Sequence, residues 1–189
     1  MILLVRTATV IVSLLLLGAQ TVSDGSPFVY ADLGFRYSPP RNLCDATASD
    51  ERDVQQRAAS LHTTKVLNVR LSLQSLTEDT SPDWERIGIE TYPRNKLAGL
   101  SDHDAILKVA RWVAHTGTEV GEPRQTEVGN FRFTVLAFEL REGELVRHAD
   151  VYTTILKEQV VSFSFSANSK GVLSRIETSM NSIEALTPR

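Results

Sequence analysis

The sequence predicts a single α+β domain in which a central antiparallel sheet of about six to seven strands is flanked by helices. Residues 130–167 contain three strand-like runs separated by short polar turns, which is typical of an antiparallel meander. Strand-like and helix-like segments precede this meander, and an amphipathic segment that can cover a sheet follows it. The chain has 189 residues, of which 42% are hydrophobic, and these are ordinary values for one domain with its own core.

The N-terminal residues resemble a secretory signal peptide. An apolar run follows Arg6, small residues occur at Gly18, Ala19 and Ser23, and polar residues come next. We therefore expect residues 1–23 to be a signal peptide that is cleaved between Ala19 and Ser23. An exported protein, periplasmic or secreted, follows from this prediction, whereas a leader that is not cleaved would anchor the domain in a membrane.

The remainder of the chain is expected to form a short linker, residues 24–29, and one domain, residues 30–189. Cys44 is the single cysteine, so no disulfide can form within the chain. We expect its thiol to be buried, and pairing between two chains is the alternative. The net charge of −3 and the lack of a basic stripe argue against a nucleic-acid partner and give no strong signal for a membrane surface.

The first half of the domain predicts strands on either side of one helix. Residues 30–37 indicate a first strand that is interrupted by Gly34 and ended by two prolines. Residues 46–61 lack glycine and proline and carry acidic residues in the first turn, which favours a surface helix. Residues 65–76 and 84–92 alternate apolar and polar side chains, so each should form a strand with one packed face.

The second half predicts a helix followed by the meander. Ser101 begins a capping-box pattern, and apolar side chains then recur on one helical face through residues 105–115. Residues 123–129 indicate a short edge strand. The first strand of the meander carries bulky apolar side chains on both faces, so we expect it to be central and covered on both sides.

Residues 169–186 predict a closing helix. Its apolar side chains recur at steps of three and four residues, at Leu173, Ile176, Met180 and Ile183. We expect this stripe to pack on the sheet, so that an aspartate at position 176 or 180 would unfold the domain.

The densest polar cluster is Asp102-His103-Asp104. A metal site or a fragment of a catalytic triad is one interpretation, but the spacing matches none of the common zinc motifs. The cluster coincides with the capping box, so a helix start is the favoured interpretation. His103 and His115 lie about 18 Å apart along an unbroken helix, and therefore cannot share a metal.

His148 and Asp150 form a second candidate group. They are two residues apart on a predicted strand and so share one face, where Glu127 or Glu139 could join them. A general acid/base pair is conceivable in such a group. A solvated face of the sheet explains the same residues more simply and is the favoured interpretation.

Motifs for nucleophilic catalysis, phosphate binding and thiol redox chemistry are missing from the sequence: it contains no G-x-S-x-G, no glycine-rich phosphate loop and no Cys-x-x-Cys. We therefore expect no catalytic, cofactor-binding or metal-binding residues, and we do not expect an enzyme.

Residues 32–40 read DLGFRYSPP and resemble the GF-x-[FY]-x-yP start of PsbP-like domains. These domains include the extrinsic protein of the oxygen-evolving complex, bacterial DcrB-type proteins and the Ran-binding Mog family. The end of the chain is also similar to them, because a polar-alternating last strand is followed by a C-terminal helix. The resemblance implies a three-layer α/β/α sandwich and a non-catalytic role in assembly or binding. Residues 46–61 look like an insertion into the family pattern, and no residue role is carried over.

The sequence as a whole predicts an exported, non-enzymatic binding or assembly module of the cell envelope, with a protein partner of unknown identity in the envelope or the extracellular space. The alternative is a small-molecule-binding or hydrolytic domain of the cone-shaped nuclear-transport-factor type. A deep pocket with His148, Asp150 and an aromatic side chain would favour this alternative, whereas an exposed apolar patch would favour the binding module.

Overall fold

A computed structural model describes residues 21–60 and 67–187, except for the side chains of Arg57 and Ser60. The predicted signal peptide lies almost wholly outside the described residues. Within them, the strands form an eight-stranded antiparallel sheet and a separate three-stranded sheet, and three α-helices pack around these. The predicted α+β class is therefore confirmed, with a sheet slightly larger than expected.

The strands are β1 (Phe28–Tyr30), β2 (Phe35–Tyr37), β3 (Cys44–Asp45), β4 (Asn68–Gln74), β5 (Glu85–Pro93), β6 (Thr118–Glu119), β7 (Arg124–Val128), β8 (Phe131–Glu142), β9 (Leu145–Leu156), β10 (Gln159–Ala167) and β11 (Glu184–Ala185). The helices are α1 (Thr47–Ser60), α2 (Asp102–Ala114) and α3 (Lys170–Glu177), with 3₁₀ turns at Arg94–Leu97 and Thr178–Ser182. The large sheet has the order β3-β4-β5-β10-β9-β8, and both β6 and β7 pair with β8. The small sheet has the order β1-β2-β11.

The predicted meander is present as β8, β9 and β10, which pair antiparallel. Phe133 and Phe163 point to one face of the sheet, where α3 and the small sheet bury them. Leu136 and Val151 point to the opposite face and are buried with the side chains of α2. Because apolar side chains leave both faces, the sheet is the middle of three layers, as expected.

The first predicted strand is wrong in one respect: it is a hairpin of two strands. The backbone turns at Gly34, whose φ of +81° is readily adopted only by glycine, and the N–H of Gly34 donates to the carbonyl of Tyr30 at 2.8 Å. The turn lets β2 fold back on β1 and bury Phe35 and Tyr37 completely. The expected linker, residues 24–29, thus contributes the first two residues of β1 to the fold.

The alternation predicted for residues 65–76 is also wrong at one point, because β4 contains an irregularity. Its register with β5 shifts between Val69 and Leu71, around Arg70. Such a bulge moves the residues before it to the other face of the sheet. Leu71 and Leu73 are therefore buried in the main core, whereas Val69 lies on the opposite face.

The closing helix is shorter than predicted, since α3 ends at Glu177 and a 3₁₀ turn follows. Side-chain hydroxyls take up the carbonyls at its end: Thr178 Oγ1 donates to the carbonyl of Arg175, and Ser179 Oγ donates to that of Ile176, both at 2.6 Å. The predicted apolar stripe nevertheless packs on the sheet as expected, because all four of its side chains are buried.

The N-terminal described residues are tied to β3. Val22 forms an antiparallel bridge with Cys44, and the N–H of Ser23 donates to the carbonyl of Leu43 at 2.7 Å. Cys44 is buried, as predicted. Among the described helices, none combines the length and apolar character that crossing a membrane requires.

Candidate functional site

The alternation of β9 places His148 and Asp150 on the sheet face that α3 covers. Antiparallel pairing sets Glu139 opposite His148, and its Oε1 lies 3.7 Å from His148 Nδ1. Glu127, the other carboxylate considered from the sequence, lies at the exposed edge and pairs with Arg132 at 3.2 Å. The structure thus brings together His148, Asp150 and Glu139, and it excludes Glu127 from the group.

Three further side chains that the sequence did not indicate complete this group. Arg124 of β7 donates to Asp150 Oδ2 at 2.6 Å and lies 4.0 Å from Glu177 Oε1 at the end of α3. The hydroxyl of Tyr152 donates to the same Glu177 oxygen at 2.9 Å. The Arg124 guanidinium also lies over the Tyr152 ring, 5.8 Å from its centroid. These contacts join β7, β9 and α3. We call Arg124, Asp150, Tyr152 and Glu177 together the α3 clamp.

Glu177 is the titratable centre of the α3 clamp. Burial, followed by the neighbouring carboxyl of Asp150, raises the pKa of Glu177 to about 7, against the opposing effects of Tyr152 and Arg124. A glutamate of this kind holds its proton near neutral pH and can exchange it with a neighbour. The arrangement is therefore chemically capable of acid/base work.

A groove of about 330 Å³ lies beside the α3 clamp and is lined in part by His148, Asp150 and Phe138. We call it the α3 groove. The side chain of Phe138 belongs to the apolar cluster beneath α2, on the opposite face of the sheet. The groove thus combines the polar pair with the edge of an aromatic residue whose side chain is already packed elsewhere.

The Asp102-His103-Asp104 cluster forms the first turn of α2, as predicted. Ser101 Oγ accepts from the N–H of Asp104 at 3.1 Å, and Asp102 accepts from Arg94 Nε at 2.9 Å. All three residues of the cluster are exposed. Among the residues that the structure describes, no group of three or more His, Cys, Asp or Glu side chains is arranged to hold a metal ion.

A second candidate site lies on the other face of the sheet, between α1 and α2. There the two helices leave a cleft of about 280 Å³ above β4, β5, β9 and β10, which we call the interhelical cleft. Its larger apolar lining residues are Val54, Leu67, Val69, Trp112, Val113, Leu140 and Val151. The bulge in β4 contributes to this lining, because it turns Val69 away from the main core.

Small residues on two adjacent strands, Ala149 of β9 and Ser164 and Ser166 of β10, line the floor of the interhelical cleft. Gly88 lies directly opposite Ser164, and Ser166 lies directly opposite Ala149. A Cβ atom at position 88 would come within 2.5 Å of both Ser164 Oγ and the Oε1 atom of Glu90. The position that the Glu90 and Ser164 side chains take above β5 therefore depends on the absence of a side chain at Gly88.

The two arginines among the described residues that line the cleft have partners other than Glu90. Arg86 forms an ion pair with Asp50 of α1, and its Nε donates to Ser72 Oγ at 3.3 Å. Arg147 Nη2 lies 2.7 Å from Asp79 Oδ1, and the Arg147 guanidinium stacks over the Trp84 ring, 4.5 Å from its centroid.

Glu90 is the buried carboxyl of the interhelical cleft, with 9% of its surface exposed. Its hydrogen-bond partner is the hydroxyl of Ser164, which lies 3.3 Å from each of its two oxygens. Burial raises the pKa of Glu90 to about 7, and the nearby Arg86 charge and the Ser164 hydroxyl limit this rise. Glu90 is therefore partly protonated at neutral pH, and in the part of the chain that the structure describes no cation forms an ion pair with it.

The sequence did not indicate the interhelical cleft. Arg86 and Glu90 looked like the polar face of an ordinary half-buried strand, although β5 is an interior strand of the sheet. The available signal was Gly88 between them, since a glycine inside a strand often marks a place where another group approaches closely.

Comparison with known proteins identifies the fold. No protein-family model matches the chain, and no curated protein matches its sequence. The solved structure of cyanobacterial PsbP (CyanoP) from Synechocystis sp. PCC 6803 is similar, with a TM-score of 0.56 and 13% identity, and the match covers 89% of this chain and 95% of that one. At this identity the likeness concerns the fold, so the predicted resemblance is confirmed: the chain has a PsbP-like fold.

Two other solved structures are more distantly similar. A protein from Bacteroides thetaiotaomicron VPI-5482 has a TM-score of 0.47 and 12% identity, and the match covers 86% of this chain but only 49% of that one. LpqN of Mycobacterium tuberculosis, described as involved in cell envelope biogenesis, has a TM-score of 0.46 and 8% identity, with 86% of this chain and 90% of that one covered.

Proposed function

We propose that the chain is an exported, non-catalytic binding module that takes a ligand into the interhelical cleft. The observation that carries this proposal is the cleft itself, a concave site between two helices, with apolar walls, a floor of small residues and one buried carboxyl. Ligand sites of proteins typically combine apolar walls with a few polar groups in this way. A volume of about 280 Å³ suits a small ligand.

Export is supported by the leader-like residues 1–23. Residues 21–23 contact β3, so cleavage near Ala19, at the early end of the expected range, would leave these contacts in the mature domain. Sequencing the N-terminus of the protein recovered from its native host would test the proposal. A mature protein beginning near residue 20 is expected, and one beginning at Met1 would overturn cleavage of the leader.

A non-catalytic role is supported by the way the acid/base groups are used. In the α3 clamp, Asp150 is paired with Arg124 and Glu177 is hydrogen-bonded to Tyr152, and these contacts hold α3 on the sheet. Asp150 and Glu177 therefore have a structural role in these contacts.

The binding proposal is tested by screening small molecules against the chain from residue 20 for a rise in melting temperature. A Ser166→Phe variant places a bulky side chain on the floor of the cleft, and Ser174→Phe places the same side chain on an exposed position of α3. We expect compounds that stabilise the wild-type chain and the Ser174→Phe variant to lose their effect on Ser166→Phe. Stabilisation that survives in Ser166→Phe, or a screen without any binder, would overturn the proposal.

A hydrolytic or small-molecule-binding role of the α3 groove is the second candidate. It is favoured by the carboxyl pair of Asp150 and Glu177, since the raised pKa of Glu177 suits a general acid. Chromogenic esters and glycosides are suitable substrates for a test. Turnover that disappears in Glu177→Gln would favour this candidate over the first, and no turnover by the wild-type chain would remove it.

The envelope partner predicted from the sequence stays a prediction. Cross-linking in the cell with a tagged copy, followed by mass spectrometry, would test it. One dominant envelope protein is the expected result, and its absence together with a compound that stabilises the chain would leave the cleft ligand as the binding partner.

A further inference from the structure

Glu90 has less hydrogen bonding than a buried carboxylate requires. Its two oxygens offer about four acceptor positions, and the Ser164 hydroxyl, which is shared between the oxygens at 3.3 Å, can fill only one of them. Buried charges in proteins are normally paired with an opposite charge or fully hydrogen-bonded. The side chain therefore has unused acceptor capacity, and it lines the floor of an open cleft.

Among the described residues, the two arginines that line the cleft are held by contacts with groups other than Glu90. Arg86 is joined to Asp50 and Ser72, and Arg147 is joined to Asp79 and stacked on Trp84. The charge of Arg86 still lowers the pKa of Glu90, but the structure shows no ion pair between the two.

The electrostatic surroundings favour a cation in this place. The C-terminal end of α2 lines the cleft through residues 112–116, and the carbonyl groups at that end of a helix carry partial negative charge. Asp53 of α1 adds an acidic side chain at the rim, and Glu142 of β8 lies there too, 3.5 Å from the Arg147 guanidinium. Among the described side chains that line the cleft, four carboxyl groups thus stand against two arginines.

The walls favour an aliphatic body on that cation. Val54 and Val69 lie on the α1 side and Val113 and Leu140 on the α2 side, and Trp112 adds an aromatic ring. A short hydrocarbon chain bound between these side chains would be removed from water, which favours binding. The charged group at the end of that chain would reach Glu90.

We propose that the interhelical cleft binds a small organic cation, with an ammonium or guanidinium group paired to Glu90 and a short aliphatic chain between α1 and α2. This inference rests on the proposed binding function and specifies its ligand class. The small residues Ala149, Ser164 and Ser166 line the part of the cleft floor against which the cationic group would lie.

The closing experiment compares three probes of equal chain length by isothermal titration calorimetry at pH 8: n-butylamine, n-butanol and butyrate. We expect the amine to bind at least about tenfold more tightly than the alcohol, since a charge-assisted hydrogen bond contributes about that much, and butyrate not to bind. Equal binding of the amine and the alcohol would overturn the proposal.

Two matched variants assign the effect to a residue. Glu90→Gln is expected to lose about tenfold or more of the amine affinity. Glu177→Gln removes the other glutamate of raised pKa, on the opposite face of the sheet, and is expected to bind the amine as the wild-type chain does. Wild-type affinity in Glu90→Gln would overturn the proposal.

The pH dependence provides an independent readout. The charged and titratable groups that line the cleft around Glu90 are Asp50 and Asp53 of α1, Arg86 of β5, His115 after α2, Glu142 of β8 and Arg147 of β9. The amine stays protonated between pH 5.5 and 8, whereas Glu90 loses its proton, so binding should tighten over this range by roughly tenfold, in line with the loss expected for Glu90→Gln. The same tightening is expected in His115→Asn, and its loss there would assign the titration to the histidine and overturn the role of Glu90.

Failure of the ligand class and failure of the binding function give different results. If neutral compounds bind and are blocked by Ser166→Phe while n-butylamine does not bind, the cation proposal is wrong and the binding module stands. If neither the amine nor any compound of the screen binds, both are wrong.

Discussion

Ser164 lies directly opposite Gly88 in the pairing of β10 with β5, and its hydroxyl reaches past the glycine to within 3.3 Å of both carboxyl oxygens of Glu90. The contact requires that residue 88 has no side chain. It places a buried and only partly satisfied carboxyl beneath an open cleft rather than inside a packed core. A buried acid of this kind lowers stability, so its position at a cleft is an indication of a binding role.

Gly88→Ala tests this contact. The new Cβ would lie 2.5 Å from both Glu90 Oε1 and Ser164 Oγ, so these side chains must move, and we expect a loss of about 1–3 kcal/mol of stability. Urea denaturation measures the loss. Gly171→Ala is the matched control, because nothing lies within 4 Å of a Cβ there and the residue is in α3; it should be neutral or stabilising by up to about 1 kcal/mol. Equal stabilities of the two variants would contradict the close packing at Gly88.

Glu90→Gln tests the titration of the buried carboxyl through stability. The unfolded chain releases this proton near pH 4.5, whereas the folded chain holds it until about pH 7. The contribution of the buried neutral carboxyl to the free energy of unfolding is therefore fully present below pH 4.5. It is lost progressively as the pH rises from 4.5 through 7. The glutamine variant has no such loss, so it should match the wild-type chain at pH 4 and exceed it by roughly 3 kcal/mol at pH 8.

Glu144→Gln is the control for this prediction, since Glu144 is exposed in the turn between β8 and β9. Its stability should follow that of the wild-type chain at every pH. If Glu90→Gln is no more stable than the wild-type chain at pH 8, the carboxyl does not titrate as described. A gain in stability together with a loss of amine binding would be typical of a residue kept for function.

The main elements could be predicted from the sequence because each depends on local periodicity. The meander, α2 with its Ser101 cap and the apolar stripe of α3 all follow from patterns within a few residues. The local deviations could not be predicted in this way. The bulge at Arg70 reverses the alternation of β4 without any change in composition, and the end of α3 at Glu177 depends on hydroxyl contacts with its carbonyls.

The candidate site was predictable only in part, for a related reason. His148, Asp150 and Glu139 are neighbours through strand alternation and antiparallel pairing, which the sequence pattern indicates. Arg124 and Glu177 lie 26 and 27 residues from Asp150 and reach it only through tertiary packing. The interhelical cleft depends on the position of α1, which the sequence pattern does not specify.

Arg124→Ala tests the α3 clamp. The substitution leaves the Asp150 carboxylate, whose side chain is 12% exposed, without its cationic partner, so we expect a loss of about 1–3 kcal/mol in urea denaturation. Arg132→Ala is the matched control. The side chains of Arg132 and Glu127 are both more than 70% exposed, so their ion pair should contribute less than about 1 kcal/mol to stability. The double variant Arg124→Ala/Asp150→Asn should recover part of the loss, since it removes the unpaired charge. Similar losses in the two single variants would mean that the clamp does not hold α3.

Ile176→Asp tests the packing of α3 on the sheet. Ile176 is 1% exposed in the main core, and an aspartate there would bury a charge without a partner. The expected loss of several kcal/mol is comparable with the whole stability of a domain of this size, so the variant should be unfolded in circular dichroism. Ser174→Asp introduces the same charge at an exposed position of the same helix and should melt close to the wild-type chain. A melting temperature of Ile176→Asp within a few degrees of the wild-type value would show that α3 does not cover the core, and the three-layer description would then be wrong at this helix.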